Sequence, residues 1–190
     1  MQFYARFRDE VIAEPDAIAA HVERAREQVS PAFERLFDGA LGEAHQRLVA
    51  APGDLQAKVR FVTIYHLILE STLGLTTFHF VTEYLKREEL LPGFVEGYSL
   101  IHHDETRHIG YGVWFLRETV RERPEMADAV RQTLRDLLPS VAESLKPPGD
   151  GDSGAADVLG VSEDDLRQFA LGGLTRRLSI IGVPLESVFA

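Results

Sequence analysis

The chain has 190 residues, 45% of them hydrophobic, a size that suits one domain with a sizeable core. Its formal charge of −10 is spread along the chain with no Lys/Arg run of the kind that tracks phosphates, which argues against nucleic acid and anionic membranes as partners. The lack of cysteine excludes disulfides, thiolate metal sites and a cysteine nucleophile and suits a reducing cytoplasm, so any metal must be held by His and carboxylate groups.

Segments with β-type alternation are hard to find, whereas helix breakers recur at intervals that suit long helices, and an all-α single domain over residues 1–190 is expected. Met1 to Ala13 is helical in composition but starts without a capping residue ahead of Phe3, Tyr4 and Phe7, so it reads as the tail of a longer helix. Met1 to Glu10 has neither the apolar core nor the cleavage site of an export signal. A cytoplasmic protein is expected. Pro15 or Asp16 opens a second helix to Val29. Ser30 and Pro31 then place a capping hydroxyl before a proline tolerated at the first helical position, and that helix ends near Ala51-Pro52-Gly53.

Asp54 caps a helix reaching Lys86 or Arg87, about 50 Å long at ~1.5 Å per residue. Its apolar stretch Phe61 to Phe80 is interrupted by His66, Glu70 and His79, so no transmembrane segment is expected, but a helix buried on most sides. Leu91-Pro92-Gly93 turns the chain into a second long helix ending near Arg123, and Pro124 stops it. A helix from Glu125 to Leu145 contains Pro139 and is a candidate for a kink. Residues 147–154 (PPGDGDSG) read as a flexible loop, and Ser162 with Asp165 opens a last helix through Leu178.

The chemistry-bearing pattern is Glu105-Thr106-Arg107-His108, an E-x-x-H in a helix. Three steps of ~100° leave the two side chains ~60° apart on one face, where they can share a metal. Bundle-core dinuclear sites need two such E-x-x-H helices and two further helices giving one Glu each. This chain has one E-x-x-H. Glu70, isolated in the apolar run Leu67-Ile68-Leu69, is the candidate single Glu, because a buried carboxylate must be protonated, paired or metal-bound. Two readings are open: Glu70 joins Glu105 and His108 at a metal, or it pairs with Arg107 or His66 in a structural bundle. Ile101, Ile109, Tyr111 and Trp114 supply an apolar setting for Glu105. His66 reads as a buried, hydrogen-bonded histidine, His79 as core, and His102 and His103 as lining the helix beside the site. Glu10, Glu14, His21, Glu43 and His45 have charged neighbours and read as solvated.

The segment His103-Asp104-Glu105-Thr106-Arg107-His108-Ile109-Gly110-Tyr111-Gly112 resembles the second metal-binding helix of the ribonucleotide reductase small-subunit superfamily, whose fold is a ferritin-like helical bundle. Tyr65-His66-Leu67-Ile68-Leu69-Glu70 resembles more narrowly its ligand-binding oxidase branch, and Phe3-Tyr4-Ala5-Arg6-Phe7 looks like the stretch just after that family's first E-x-x-H. The resemblance implies Glu70, Glu105 and His108 as metal ligands and Asp104 as the carboxylate that fixes a ligand histidine's tautomer. Asp104 beside Arg107 or His108 could equally be a solvated carboxylate. Tyr65 would be the residue of an ether cross-link to a valine. It faces the same way as Glu70 only if a π-bulge intervenes, because five α-helical steps separate them by ~140°; otherwise it is ordinary core.

The resemblance further implies a manganese/iron or di-iron centre that activates dioxygen beside a long-chain fatty-acid-like ligand, in a homodimer. The family's first glutamate and first E-x-x-H would precede Met1, so half of the expected ligands and the valine are absent, and the chain reads as truncated at its N-terminus with doubtful activity. A single metal with open positions is then the reduced form of the site. Two rival readings are a radical-generating reductase small subunit and a non-catalytic helical fragment.

Overall fold

A computed structural model of the chain describes residues 2–11, 18–27, 29–146 and 159–190. Every regular element among them is helical. In chain order they are α1 (Gln2–Val11), α2 (Ile18–Glu27), α3 (31–50), α4 (Leu55–Arg87), α5 (Pro92–Glu122), α6 (Met126–Ser144) and α7 (Glu163–Ile181), followed by a 3₁₀ turn at Leu185–Val188. The loop expected at 147–154 and the opening of the second helix at Pro15 or Asp16 lie outside the described residues.

The helix starts form as the spacing predicts. Ser30 accepts a hydrogen bond from the Phe33 N–H ahead of Pro31, and Asp54 accepts one from the Ala57 N–H at 3.1 Å. Ser162 and Asp165 form a reciprocal capping box at the head of α7, and the Ser162 hydroxyl and N–H hold the Asp165 carboxyl below its ordinary range. Removing the Ser162 oxygen leaves an N-terminal N–H of α7 without its partner. Ser162→Ala is therefore expected to cost about 1 kcal/mol, a fall of roughly 2–4 °C in the thermal midpoint for a chain of this size. A circular-dichroism melt in which the midpoint stays put would show the box to be idle. The far end of α7 runs past the expected Leu178 to Ile181, where Gly182 takes a left-handed φ of 84° and the Val183 N–H reaches back to the Leu178 carbonyl. Pro139 sits inside α6 without ending it.

The core gathers around α4. Val59, Ile64, Leu67 and Ile68 are fully buried and meet Leu116 of α5, Val130 and Leu134 of α6, and Leu174 and Leu178 of α7. By length and apolarity alone α4 qualifies as a membrane span, which the three interruptions in its sequence were expected to prevent. Its most apolar window is 56% buried inside the bundle, packed against α5, α6 and α7, and core burial accounts for its composition.

Among the described residues, two helices carry π segments, Arg35–Leu41 in α3 and Thr63–Gly74 in α4. The second is twelve residues long and contains both Tyr65 and Glu70, between which the sequence left a π-bulge as an open condition. Its ladder is visible in the Leu75 N–H bond to the Glu70 carbonyl, five residues back. Buried threonines satisfy their hydroxyls within the same helix, Thr63 on Val59 at 2.8 Å and Thr72 on Leu67 at 2.7 Å. Each of these buried donors therefore finds an acceptor without a neighbouring helix.

Candidate metal centre

The π segment decides which residues face α5. In an i→i+5 ladder the helix widens to about 4.4 residues per turn, so residue i+5 lies only ~50° around from residue i, which brings Tyr65 and Glu70 to one side of α4. Burial first, and then the negative charges of Glu70 and Glu105, push the Tyr65 phenol above its ordinary pKa. The hydroxyl therefore stays protonated near neutrality and can donate toward the carboxylates. Its ring stacks on Phe61 at 5.7 Å and meets the His66 ring edge-on at 4.9 Å.

Glu70, from α4, and Glu105 and His108, from α5, each present one donor atom, and the three atoms lie within 4.8 Å of one another. His108 Nδ1 is 3.6 Å from Glu70 Oε1 and 3.5 Å from Glu105 Oε2. Two donors at ~2.0–2.2 Å from one cation, at octahedral to tetrahedral angles, stand about 2.8–3.6 Å apart, so the His108 separations lie at the upper end of the range for a shared cation. Glu105 Oε2 is buried and has no hydrogen-bond partner; the other such buried side-chain atom among the described residues is Ser71 Oγ. An orphaned carboxylate oxygen costs free energy unless something cationic meets it. Two carboxylates and an imidazole are a donor set that suits manganese and iron.

The other oxygen of Glu70, Oε2, is held by His66 Nδ1 at 2.6 Å. The metal and structural readings of Glu70 thus describe its two oxygens separately. His66 fixes Oε2 and leaves Oε1 pointing at His108. The fixing depends on Gly112 of α5, where a Cβ would lie 2.3 Å from the His66 Cβ, and on the Tyr111 ring, edge-on to His66 at 5.9 Å. The sequence placed Tyr111 only in the apolar setting of Glu105 and gave Gly112 no task. The signal was present in the small residues Gly110 and Gly112 flanking a bulky Tyr111 beside the E-x-x-H.

Asp104 lies on the Nε2 side of His108 at 3.8 Å, beyond hydrogen-bond reach, and its closer partner is Arg107, which holds its carboxyl below the ordinary range. Arg107 therefore pairs with Asp104 and not with Glu70. The apolar setting expected for Glu105 is only partly formed: Ile109 is buried, but Tyr111 and Trp114 stand half-exposed because no described helix covers that side of α5. His102 and His103 are likewise exposed, and His102 stacks on Phe78 at 5.6 Å. His79 stacks on Phe169 at 4.4 Å. Glu10 pairs with Arg6 on α1, and Glu43 and His45 lie on α3 away from the group, so none joins it; Glu14 lies outside the described residues. Openness runs in one direction, with Glu70 9% exposed, Glu105 27% and His108 48%.

Two long helices, one distorted into a π ladder, thus place a Glu/Glu/His donor group at the edge of an all-helical bundle. Among solved structures, that architecture is similar to R2-like ligand-binding oxidases. A single-residue variant of that protein with an anaerobically reconstituted Mn/Fe cofactor matches with a TM-score of 0.69 at 25% identity, over 81% of this chain and 54% of its own. A second such variant matches at 0.68 and 25% identity, over 80% and 53%. A third, aerobically reconstituted with Mn/Fe, matches at 0.67 and 23% identity, over 80% and 54%. The chain has the ferritin-like fold of these proteins, as its motifs led one to expect, and spans about half their length. No protein-family model matches the chain.

Proposed function

We propose that this chain supplies one half of a dinuclear Mn/Fe oxidase centre, with Glu70, Glu105 and His108 as the ligands of one cation. The observation that carries the reading is Glu105 Oε2, buried without a hydrogen-bond partner and 3.5 Å from the His108 imidazole, in one group with Glu70. The solved relatives with Mn/Fe cofactors support the choice of metals. When bound, such a metal pair would supply two of the four electrons that take dioxygen to water, the oxidised substrate supplying the other two. Glu70 and Glu105 neutralise the charge of a divalent ion, His108 adds a neutral nitrogen, and His66 holds Glu70 in place through Oε2. Asp104 is a positioning residue for His108 once its carboxylate turns from Arg107 toward Nε2. Tyr65 holds a proton beside Glu70 and is the candidate for oxidative cross-linking.

A long-chain fatty-acid-like ligand is part of the same proposal, supported by the ligand-binding character of the relatives. A cavity of about 740 Å³ lies between α1 and the head of α5, lined by Phe7, Val11, Leu91, Phe94 and Leu100 among others. None of the three donor residues lines it, so it adds no support for a ligand at the metals. The rival reading of a metal-free helical protein draws on the tight His66–Glu70 bond, which already satisfies half of that carboxylate.

Elemental analysis separates the two. After anaerobic incubation with manganese(II) and iron(II), exposure to air and desalting, at least one metal per chain is expected, together with loss of the metal in the Glu105→Gln variant. Protein that emerges metal-free would leave only the structural reading.

A further inference from the structure

We propose that Tyr111 and Trp114 of α5 carry oxidising equivalents away from the metal centre when no substrate is there to receive them. The inference rests on the metal reading under Proposed function and adds a route for electrons through the chain's own rings. His66, whose Nδ1 holds Glu70 Oε2 at 2.6 Å, meets two tyrosines edge-on, Tyr65 at 4.9 Å and Tyr111 at 5.9 Å. Tyr111 in turn lies 5.9 Å from the Trp114 ring. Each separation falls in the range of roughly 4.5–7 Å at which aromatic rings touch. One line of touching rings therefore runs from the carboxylate of a proposed ligand to the sole tryptophan of the chain. All of these contacts are made within α4 and α5, so the line does not depend on what packs over α5.

The electron count gives the line a task. Taking dioxygen to water needs four electrons, two from the metals and two from substrate. Without substrate the last two must come from the protein, and the side chains that oxidise most readily are the donors. Cysteine and methionine are the usual ones, but the chain has no cysteine and neither α4 nor α5 carries a methionine. Tyrosine and tryptophan remain, and the two that continue the line beyond His66 are Tyr111 and Trp114.

Tyr111 gives one electron to the oxidised metals and its phenolic proton to water, which leaves a phenoxyl radical. Trp114 then gives one electron to that radical. The phenoxyl takes up a proton from water as the indole N–H loses one, and Tyr111 is restored. The sum is one electron and one proton lost from Trp114, and each such passage delivers one of the two missing electrons. The indolyl radical ends by taking an electron from a small reductant such as ascorbate or, where none is present, by adding dioxygen. Oxidative damage thus moves off Glu70, His66 and His108 and onto a ring outside the donor group.

Two measurements on the 190-residue chain test this. In the metal-free chain, one-electron oxidation by azide radicals in pulse radiolysis forms the indolyl radical of Trp114, which reads the Tyr111–Trp114 contact in the reverse direction. Its absorbance should give way to that of a tyrosyl radical at a rate independent of protein concentration. Tyr111→Phe keeps the ring and loses the oxidisable hydroxyl, so that rate should fall severalfold. In the chain loaded with manganese and iron and exposed to air without substrate, rapid-freeze electron paramagnetic resonance should show a tyrosyl radical that Tyr111→Phe weakens. Peptide mass mapping should find oxygen added at Trp114, unchanged by catalase and severalfold lower in Tyr111→Phe. Equal oxidation of Trp114 in that variant overturns the inference, as does an unaltered indolyl decay in its metal-free form. Metal-loaded protein whose Trp114 stays intact overturns the electron route and leaves the metal reading standing. A chain that takes up no metal overturns both.

Discussion

Replacing His108 by alanine is expected to abolish tight divalent-metal binding while leaving the fold almost untouched. His108 gives the donor group its neutral nitrogen and is the residue to which both carboxylates are close, at 3.5 and 3.6 Å. Loss of a partner behind a ligand already costs about 10–100-fold in affinity; loss of the ligand itself should exceed the upper end of that range. Its side chain is half-exposed and lies outside the core, so the stability change should stay within about 0.5 kcal/mol, as for most surface positions. Isothermal titration with manganese(II) and a thermal melt of the same samples read the two effects apart. Glu70→Ala is the contrasting variant: it removes a ligand and also strands His66 in a buried setting, so affinity and stability should fall together. If His108→Ala bound manganese as the parent chain does, the donor group would not be the metal site.

The helices were readable in the sequence because their signals are local. Ser30, Asp54 and Ser162 each announce a cap within three residues, and Pro92 and Pro124 bracket α5. The meeting of Glu70 with Glu105 and His108 was readable for another reason: a lone carboxylate in an oily run has few fates, and an E-x-x-H helix next in the chain offers one. What stayed hidden was the division of labour between the oxygens of Glu70. That depends on the π ladder over Thr63–Gly74, which no short-range pattern encodes, and on the register of α5 against α4, which sets Gly112 opposite His66. The exposure of Tyr111 and Trp114 was hidden too. An apolar stripe reads as core from sequence, and only packing shows whether a helix lies over it.

Gly112→Ala is expected to destabilise the protein by about 1–3 kcal/mol, the usual cost of overpacking a tight contact. Two effects oppose each other. A glycine-to-alanine change inside a helix gains roughly 1 kcal/mol of helix propensity, and Gly112 is well inside α5. Against that, the new Cβ would stand 2.3 Å from the His66 Cβ and 2.6 Å from its Cγ. Those atoms are close to the backbone of a buried helix and cannot swing away, so α4 and α5 must part or His66 must leave its rotamer. The clash wins. At ~2–4 °C per kcal/mol for a chain of this size, the thermal midpoint should fall by several degrees. Because the displaced ring no longer holds Glu70 Oε2, manganese affinity should drop by about 10–100-fold as well. His66→Gly in the Gly112→Ala background removes the Cβ, Cγ and ring atoms in conflict, so the double variant should cost less stability than the two single changes added together. Strict additivity in melts of the four proteins would mean that the glycine does not make room for His66, and that some other feature of α4 holds Glu70 in place.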